Sequence, residues 1–495
     1  MNPPDFRRLG WLFLAGALLT CLLAINSHSL WIDEFSIAIV AQPPTLTAAW
    51  HKLFAIHGSD LQMPLYILWI WAGAKITGTS VLALRGLNAL WFVPGMLAFA
   101  LALPDRSARI MGFLLAVSSP FLWYYLNEAR PYAMQAGTSL VVFAVILHWR
   151  QHPDSPIRLE WQRVLVFATA LVLLGGSSLL CLILAAMPLL TAAALLPRPR
   201  LLALGRVFWP VWLTVLGLWL LTGIYYLWTL HSGARATAVA VTNWKNIVFV
   251  AYELCGFTGL GPGRLEMREG ALGVFRPYWA PLGLFAVTVG SLGWLGGREL
   301  WRRLGGRQFL AVALAVAFPV GFILAAALAL HFRVLGRHFT PLLPVVLLVL
   351  CSGLLAAWRR GRAGRLLVVI FFAGCLASAA SLRLASRHEK DNYQAAAAIA
   401  LKTLPLGQTV WWNALADGAG YYDVPLATPG LTRPGVWALV NPDHDSLAAL
   451  PPPDLVIASR QDVYDAQGAV AEFLARNHYR RQTSLTGFTI WTRGP

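Results

Sequence analysis

Apolar stretches of about 15 to 24 residues recur along the chain from Leu9 to Leu382. Each is close to the ~20 residues that an α-helix needs to cross the hydrocarbon core of a bilayer. The composition agrees, because 58% of the residues are hydrophobic and only 12% are charged, whereas soluble domains carry roughly 25% charged residues. The sequence therefore excludes an ordinary soluble enzyme and predicts a polytopic α-helical membrane protein.

The basic residues indicate the topology. The sequence has 39 Lys and Arg against 22 Asp and Glu, a net charge of +17. Most of the basic residues lie in short clusters between apolar segments, and loops that carry such clusters stay on the cytoplasmic side. These clusters predict about eleven crossings (range 11–13) and a cytoplasmic N-terminus in a bacterial inner membrane. We interpret them as topology signals rather than as a nucleic-acid surface. The clusters are Arg7–Arg8, Arg106–Arg109, Arg150–Arg163, Arg198–Arg206, Arg298–Arg307 and Arg359–Arg365.

The same rule places two long segments, 26–83 and 231–278, on the external side. Pro64–Thr77 lies within the first of them and has about 14 residues, which is short for a crossing. We expect it to lie on the surface or to re-enter. No Walker loop, GxGxxG turn or HExxH motif is present in the sequence, so ATP-driven transport and zinc-protease chemistry have no support.

The composition changes at Arg383, which predicts a transmembrane domain at 1–382 and a periplasmic α/β domain at 383–495. Within the second domain an Ala-rich helix is expected to begin at Asp391 as its N-cap and to end at Lys402. Three strands and a second helix are predicted from apolar patterning. They are Thr409–Trp412, Leu455–Ser459, Phe488–Trp491 and the helix Ala469–Asn477.

Adjacent carboxylates follow the first apolar helix. Asp33 and Glu34 come just after Trp31, a residue typical of membrane interfaces, and a carboxylate at an apolar boundary is costly unless it is used or paired. Two interpretations are open: a functional site, or capping of the next short helix. Neighbouring side chains point in different directions on a helix or strand, so the two carboxylates would have separate roles.

Two further external segments carry charge. Asp60 precedes a proline that can open a helix, so the alternatives are a site residue or a helix cap. Glu128, Arg130 and Tyr132 occupy a very short turn. Residues at i and i+2 do not meet on a helix, which favours a bent turn with Arg130 directed inward, although a surface ion pair is the simpler alternative.

Arg337 and His338 lie in an external turn, against the usual cytoplasmic preference of Arg. Basic residues on that side indicate an anionic ligand, whereas the alternative is that Arg337 snorkels or pairs with acidic groups of the outer domain. The glycine-rich run Gly259–Gly263 in the loop 231–278 predicts a flexible segment able to close over a ligand.

Together these motifs resemble the polyprenyl-phosphate-sugar-dependent glycosyltransferases of the GT-C class, which include protein O-mannosyltransferases and lipid A aminoarabinose transferases. The resemblance covers nearly the whole chain and rests on the order of five features. These are the Asp33-Glu34 pair, the run Asp60–Tyr66, the turn Glu128–Tyr132, the element Arg337-His338 with Pro341, and an outer C-terminal domain. Gln62-Met63 stands where the family often has His-Pro or Lys-Pro, which leaves a metal contact there in doubt.

The resemblance implies transfer of a hexose or pentose from a polyprenyl-phosphate carrier, such as undecaprenyl phosphate, to a lipid, glycan or protein hydroxyl on the periplasmic face, with inversion. It implies Asp33 as the general base. Glu34, Asp60, Glu128 and Tyr132 would position the sugar or acceptor, and Arg130, Arg337 and His338 would bind phosphate. No cofactor is required, and a divalent metal has no support. The alternatives are an O-antigen-ligase-type transferase that uses a diphosphate-linked glycan, and a lipid or sugar flippase.

Overall fold

The structure, a computed structural model, describes residues 3–56, 58–237, 242–269, 272–427 and 435–493. Parts of the predicted external loop 231–278 and of the predicted domain 383–495 therefore lie outside the described residues. The chain forms two compact units. Unit 1 comprises Met1–Asn26, Leu46–Gly78 and Leu82–His388, and unit 2 comprises Ser27–Thr45, Thr79–Val81 and Glu389–Pro495.

Helices dominate the described part of the chain. As far as residue 207 they are α1 Pro3–Ala24, α2 Ile32–Ala41, α3 Leu46–Ile56, α4 Pro64–Thr77, α5 Val81–Gly86, α6 Ala89–Leu101, α7 Arg106–Val117, α8 Pro120–Leu126, α9 Tyr132–Gln151, α10 Trp161–Ser177, α11 Leu179–Leu184, α12 Ala186–Leu195 and α13 Arg198–Val207. They continue with α14 Trp209–Thr237, α15 Trp244–Leu254, α16 Arg264–Glu269, α17 Trp279–Leu304, α18 Gly306–Ala329, α19 Leu343–Trp358, α20 Arg362–Leu384, α21 Tyr393–Thr403, α22 Ala416–Tyr421, α23 His444–Ala448, α24 Gln461–Tyr464 and α25 Ala469–Arg476. Short 3₁₀ helices span Ser59–Gln62, Ile157–Glu160, Leu272–Tyr278, Gly336–Leu342, Ser386–His388 and Leu404–Leu406.

Unit 1 is a helical membrane domain. Among the described residues, eight helical segments are long and apolar enough to cross a bilayer, or nine if α7 and α8, bent by 51°, form one span. Their outward faces are apolar, with Leu220, Trp228, Leu314 and Phe322 exposed, as expected for surfaces that contact lipid rather than water. The predicted fold class is confirmed, whereas the count of eleven crossings stays a prediction.

The core of unit 1 positions the segments that carry the charged residues. Side chains of α1, α6, α7, α8, α9, α17, α19 and α20 form one continuous hydrophobic cluster. Proline begins α4 at Pro64 and α8 at Pro120, where its missing N–H costs nothing. Pro64 thus begins the helix that follows the Asp60 turn, and Pro120 begins the helix that leads to the turn after α8.

Helices α17 and α19 cross closely through glycine. A Cβ atom on Gly296 would lie 1.9 Å from the carbonyl oxygen of Val349, and one on Gly353 would lie 2.0 Å from that of Leu292. Small residues at a crossing let two backbones approach, which is how membrane helices gain packing energy in the absence of water. This crossing holds α19, the helix that directly follows the Arg337 segment in the sequence.

Unit 2 is built on a five-stranded sheet with the order β2-β1-β3-β5-β4. The strands are β1 Val410–Asn413, β2 Val436–Ala438, β3 Leu455–Ser459, β4 Tyr479–Leu485 and β5 Phe488–Arg493. Strand β1 is parallel to β2 and β3, and β5 is antiparallel to β3 and β4. The predicted strands correspond to β1, β3 and β5, and the predicted second helix corresponds to α25.

Two details of unit 2 differ from the sequence predictions. The N-cap of α21 is Asn392, whose side chain accepts a hydrogen bond from the Ala395 N–H at 3.0 Å, so the prediction of Asp391 as the cap is wrong by one residue. Residues 27–45 and 79–81 group with the C-terminal residues, whereas the sequence placed them in the domain 1–382. The change of composition at residue 383 marks the start of the C-terminal residues, but composition does not indicate that residues 27–45 and 79–81 group with them.

We expect Gly296→Ala to lower the thermal unfolding temperature of the protein in detergent. The added methyl would strike the Val349 carbonyl, and overpacking of this kind costs about 1–3 kcal/mol. Gly297→Ala is the matched control, because nothing lies within 4 Å of a Cβ at the next position. Equal unfolding temperatures for the two variants would contradict close packing at this crossing.

Candidate active site

A buried ion pair joins two of the predicted site residues in unit 1. Arg130 donates through Nη1 to Oδ1 of Asp60, and their side chains are 4% and 7% exposed. Asp60 lies in the 3₁₀ turn before α4 and the N-cap position of α4 is Met63, so Asp60 does not cap that helix. The capping interpretation of Asp60 is therefore wrong, because its carboxylate instead neutralises a guanidinium taken out of water. Its role in a site stays a prediction.

Glu128 pairs with a different cation, Arg264, at 4.0 Å between Oε1 and Nη1. Arg264 also donates to Glu253 at 2.7 Å and to the hydroxyl of Tyr125 at 2.9 Å, and that hydroxyl lies 3.1 Å from Glu253. Both carboxylates are buried. Burial lowers the pKa of Arg264, but the surrounding phenol and carboxylate groups outweigh it and raise the pKa above its ordinary value. The guanidinium thus stays charged.

Aromatic rings connect Arg337 to this group. The guanidinium of Arg337 lies over the Tyr132 ring at 5.7 Å, and Tyr132 packs edge-to-face on Tyr125 with ring centres 4.8 Å apart. A cation held over a ring in this way gains electrostatic stabilisation without a fixed hydrogen-bond geometry. His338, one residue further on, accepts a hydrogen bond at Nδ1 from the Leu335 N–H, so Nε2 is the proton-bearing nitrogen in its neutral form.

Buried polar side chains hold the turn between α8 and α9. Asn88 donates to the carbonyl oxygens of Leu126 and Glu128. Asn127 accepts from the Asn26 N–H at 2.9 Å, and Arg85 donates to the same Asn26. With its backbone bonded this way, the turn presents Glu128 to Arg264 and Arg130 to Asp60. Both side chains are buried, so they do not lie at the surface as the alternative interpretation supposed.

Gly336 is required by the position of Glu253. A Cβ atom at Gly336 would lie 2.3 Å from Oε2 of Glu253, so only glycine allows the Arg337 segment to approach α15 this closely. The contact links the network around Arg264 to the backbone that carries Arg337. Unit 1 thus brings together four segments that are far apart in sequence, around residues 60, 128, 253–264 and 337.

The run Gly259–Gly263 is packed rather than open. The Gly259 N–H donates to Ser378 Oγ at 3.0 Å, and Arg387 donates to the carbonyl oxygens of Gly259 and Gly261. A Cβ atom on Gly263 would lie 1.7 Å from the Arg387 carbonyl oxygen. The glycines therefore serve close backbone approach, and the expectation of an open, closing loop does not explain them.

Unit 2 carries the acidic pair of α2. Glu34 is fully buried and accepts from Lys390 Nζ at 3.2 Å. It also accepts from the Trp31 N–H at 3.4 Å, so Glu34 contributes to capping the start of α2 as the simpler interpretation expects. Beside it, Phe35 packs edge-to-face on Tyr393 at 4.8 Å. These contacts fix α2 to the C-terminal residues of the same unit.

Asp33 is half-buried on the same helix. Its charge contributes to raising the pKa of two residues that follow β3, Arg460 and Tyr464. Burial lowers the pKa of Arg460, but Asp391, whose Oδ2 lies 2.5 Å from Arg460 Nη2, outweighs burial and raises it. Burial raises the pKa of Tyr464 to about 12. Asp33 therefore lies among a permanent cation and a neutral phenol of the C-terminal residues.

The sequence did not single out Glu253, Arg264 and Tyr125 as site residues. Glu253 and Arg264 belong to the predicted external loop 231–278, in which the sequence motifs identify no site residue. A signal was present, because Glu253 ends an otherwise apolar helix and Arg264 directly follows the glycine run. Neither position indicates its partner, since the pairs are separated by up to 139 residues in the chain.

Gln62, one of the two residues that depart from the family pattern, forms a side-chain hydrogen bond. Gln62 donates through Nε2 to the hydroxyl of Thr229 at 2.8 Å. In the part of the chain that the structure describes, no group of three or more His, Cys, Asp or Glu side chains is arranged to hold a metal ion.

We expect Asp60→Asn to destabilise the protein by on the order of 3 kcal/mol, because it removes the carboxylate that faces a buried guanidinium. The double variant Asp60→Asn/Arg130→Gln should recover part of that loss, since it removes both charges. Thermal unfolding of the wild type, both single variants and the double variant provides the test. Strictly additive effects would contradict the pairing.

His388 should make stability depend on pH. Burial lowers its pKa to about 4, below the ordinary ~6.5 of an unfolded His. Between these values the unfolded chain binds the proton and the folded chain does not, so stability falls as the pH drops from 6.5 towards 4. The unfolding temperature of the wild type should fall more steeply than that of His388→Gln as the pH drops through this window, and parallel pH profiles would contradict it.

Comparison with known proteins gives a fold. No protein-family model and no curated protein matches the chain. The apo structure of ArnT from Cupriavidus metallidurans matches with a TM-score of 0.55 and 15% identity over 98% of this chain and 99% of that one. The same protein bound to undecaprenyl phosphate matches with a TM-score of 0.50, 15% identity and the same coverage.

A third match, arabinofuranosyltransferase AftD from Mycobacteria, has a TM-score of 0.45 and 11% identity, and covers 100% of this chain and 40% of that one. The ArnT matches extend over both units and nearly the whole length of both chains. The chain therefore has the ArnT fold, which is the fold class that the sequence motifs predicted.

Proposed function

We propose that this chain is an integral-membrane glycosyltransferase that moves a sugar from a polyprenyl-phosphate carrier to an acceptor hydroxyl. The ArnT fold supports the proposal, as does the binding of undecaprenyl phosphate by ArnT itself. The observation that carries it is the network of unit 1, where arginines from three separate segments are gathered with carboxylates and phenols at helix ends.

The network suits a phosphate leaving group. When the bond between the anomeric carbon and the phosphate oxygen breaks, negative charge grows on the phosphate. Arg337 and Arg264 are the proposed phosphate ligands, because both are partly exposed and a guanidinium can donate two parallel hydrogen bonds to phosphate. His338 would donate from Nε2. Arg130 is nearly fully buried against Asp60, so its proposed contribution to binding is to hold the turn that carries Glu128.

Asp33 is the proposed general base. Its carboxylate would take the proton of the acceptor hydroxyl as the oxygen attacks the anomeric carbon, with inversion. Glu34 is occupied by Lys390 and the start of α2, so its proposed part is to fix the helix on which Asp33 is carried. Tyr132 would orient Arg337 through the ring contact. The sugar is a hexose or pentose, and the acceptor a lipid, glycan or protein.

The proposed location is a bacterial inner membrane, with the N-terminus cytoplasmic and residues 383–495 periplasmic, as the basic clusters predict. A flippase is less well supported, because transporters place ionisable groups at broken helices near the midplane. Here Asp60 and Arg264 lie in a short turn and a short helix, and Arg337 lies in the first turn of the apolar segment Gly336–Trp358. A ligase that uses a diphosphate-linked glycan differs in donor, which the following experiment distinguishes.

We expect Asp33→Asn to reduce sugar transfer at least a hundredfold, within the range that a general base contributes. Transfer is measured with purified protein in lipid and a radiolabelled sugar on either polyprenyl phosphate or polyprenyl diphosphate. Arg337→Gln should lose about a hundredfold as well, as a missing charge-stabilising donor does.

Asp445→Asn is the control, since Asp445 is an exposed carboxylate of the same unit as Asp33. It should keep wild-type transfer, while Asp33→Asn should keep wild-type donor binding. Undiminished transfer by Asp33→Asn would refute its assignment as base. Transfer from the diphosphate donor alone would refute the proposed donor class.

A further inference from the structure

Helix α13 is anchored by one arginine and exposes two others. Arg200 is 6% exposed; its Nη2 donates to Glu160 at 3.1 Å and to Ser155 Oγ at 3.1 Å. Glu160 is fully buried and also accepts from Trp149 Nε1 at 3.0 Å. This pairing ties the inner face of α13 to the segment before α10, so the helix has a fixed outer face.

That outer face combines cations with apolar surface. Arg198, Leu202 and Arg206 are exposed and follow each other at intervals of four residues, which places them on one side of a helix. Leu202 is 59% exposed and Val207 is 49% exposed. Since the helix is only 10 residues long, about 15 Å, the two guanidinium groups flank a short apolar strip within reach of a single ligand.

A groove lies along this face. It has a volume of about 560 Å³ and is lined by Arg198, Pro199, Leu202, Ala203, Arg206 and Val207. Among the described residues, no carboxylate lies within 4.0 Å of Arg198 or Arg206. By contrast, the neighbouring Arg200 and Arg163 both pair with Glu160. The groove therefore offers two uncompensated positive charges over an apolar floor.

The position of α13 in the chain places this groove at a membrane surface. The helix follows the apolar segment Leu179–Leu195 and precedes the membrane span Trp209–Leu230. Trp209, at the start of that span, is 59% exposed, as is typical of a tryptophan at the boundary between lipid and water. A short helix with basic and apolar residues on one face, held at this level, matches the physics of an interfacial helix.

We propose that the outer face of α13 is a binding site for the headgroup of an anionic phospholipid, with the phosphate between Arg198 and Arg206 and the glycerol and ester region over Leu202. The charge of the groove selects an anion. The exposed Leu202 and Val207 select an amphiphile over a free phosphate ion, which would leave that apolar surface in water. The site is independent of the proposed transferase chemistry and lies on the face that the positive-inside rule assigns to the cytoplasm.

The test measures lipid binding to the full chain in neutral detergent by native mass spectrometry, with dioleoyl phosphatidylglycerol and dioleoyl phosphatidylethanolamine as probes. The wild type should bind phosphatidylglycerol about tenfold more tightly, and Arg198→Gln/Arg206→Gln should lose that preference, as two interfacial arginines predict. Leu202→Asn should weaken phosphatidylglycerol binding without a change in charge. Equal binding of the two lipids by the wild type would overturn the proposal.

Arg302→Gln/Arg307→Gln is the matched control, because it removes two exposed arginines, one near the end of α17 and one near the start of α18. It should keep the wild-type preference for phosphatidylglycerol. An equal loss in this control would show a general effect of net charge and would refute a site on α13. Displacement of the lipid by millimolar inorganic phosphate, or unchanged binding by Leu202→Asn, would show a free-anion site and would also refute it.

Discussion

Pairing of buried carboxylates with guanidinium groups is the interaction on which the arrangement of unit 1 depends. A charge removed from water near a bilayer is tolerated only with a close counter-charge and further hydrogen bonds. Asp60 supplies this for Arg130, and Glu253 and Glu128 supply it for Arg264. Because the Asp60–Arg130 and Glu128–Arg264 pairs join segments distant in sequence, satisfying these charges also determines which segments meet.

The sequence predicted the charged motifs and the fold class, because both rest on local signals. Runs of apolar residues reveal membrane helices, and a carboxylate or arginine beside such a run is conspicuous. Which charge meets which is not local. Glu128 and Arg130 are two residues apart, yet they pair with Arg264 and Asp60, and only the folded backbone of the turn determines that choice.

The glycine residues illustrate the same point, because their role depends on neighbours that are distant in the sequence. The run Gly259–Gly263 predicts freedom of the backbone when it is considered alone, but each close approach to Ser378 or Arg387 leaves no room for a side chain. Gly336 is similar, since its partner is a carboxylate on another helix. A glycine permits both mobility and tight contact, and the neighbours that distinguish the two come from elsewhere in the chain.

The association of α2 with the C-terminal residues has a consequence for biosynthesis. Glu34 meets Lys390 across 356 residues, and Phe35 packs on Tyr393, so the acidic helix leaves the ribosome long before its partners exist. Since chains emerge and begin folding from the N-terminus, the membrane helices are inserted before α2 can form its contacts with Lys390 and Tyr393. The segment that bears Asp33 can reach its final conformation only after Lys390 and Tyr393 have been translated.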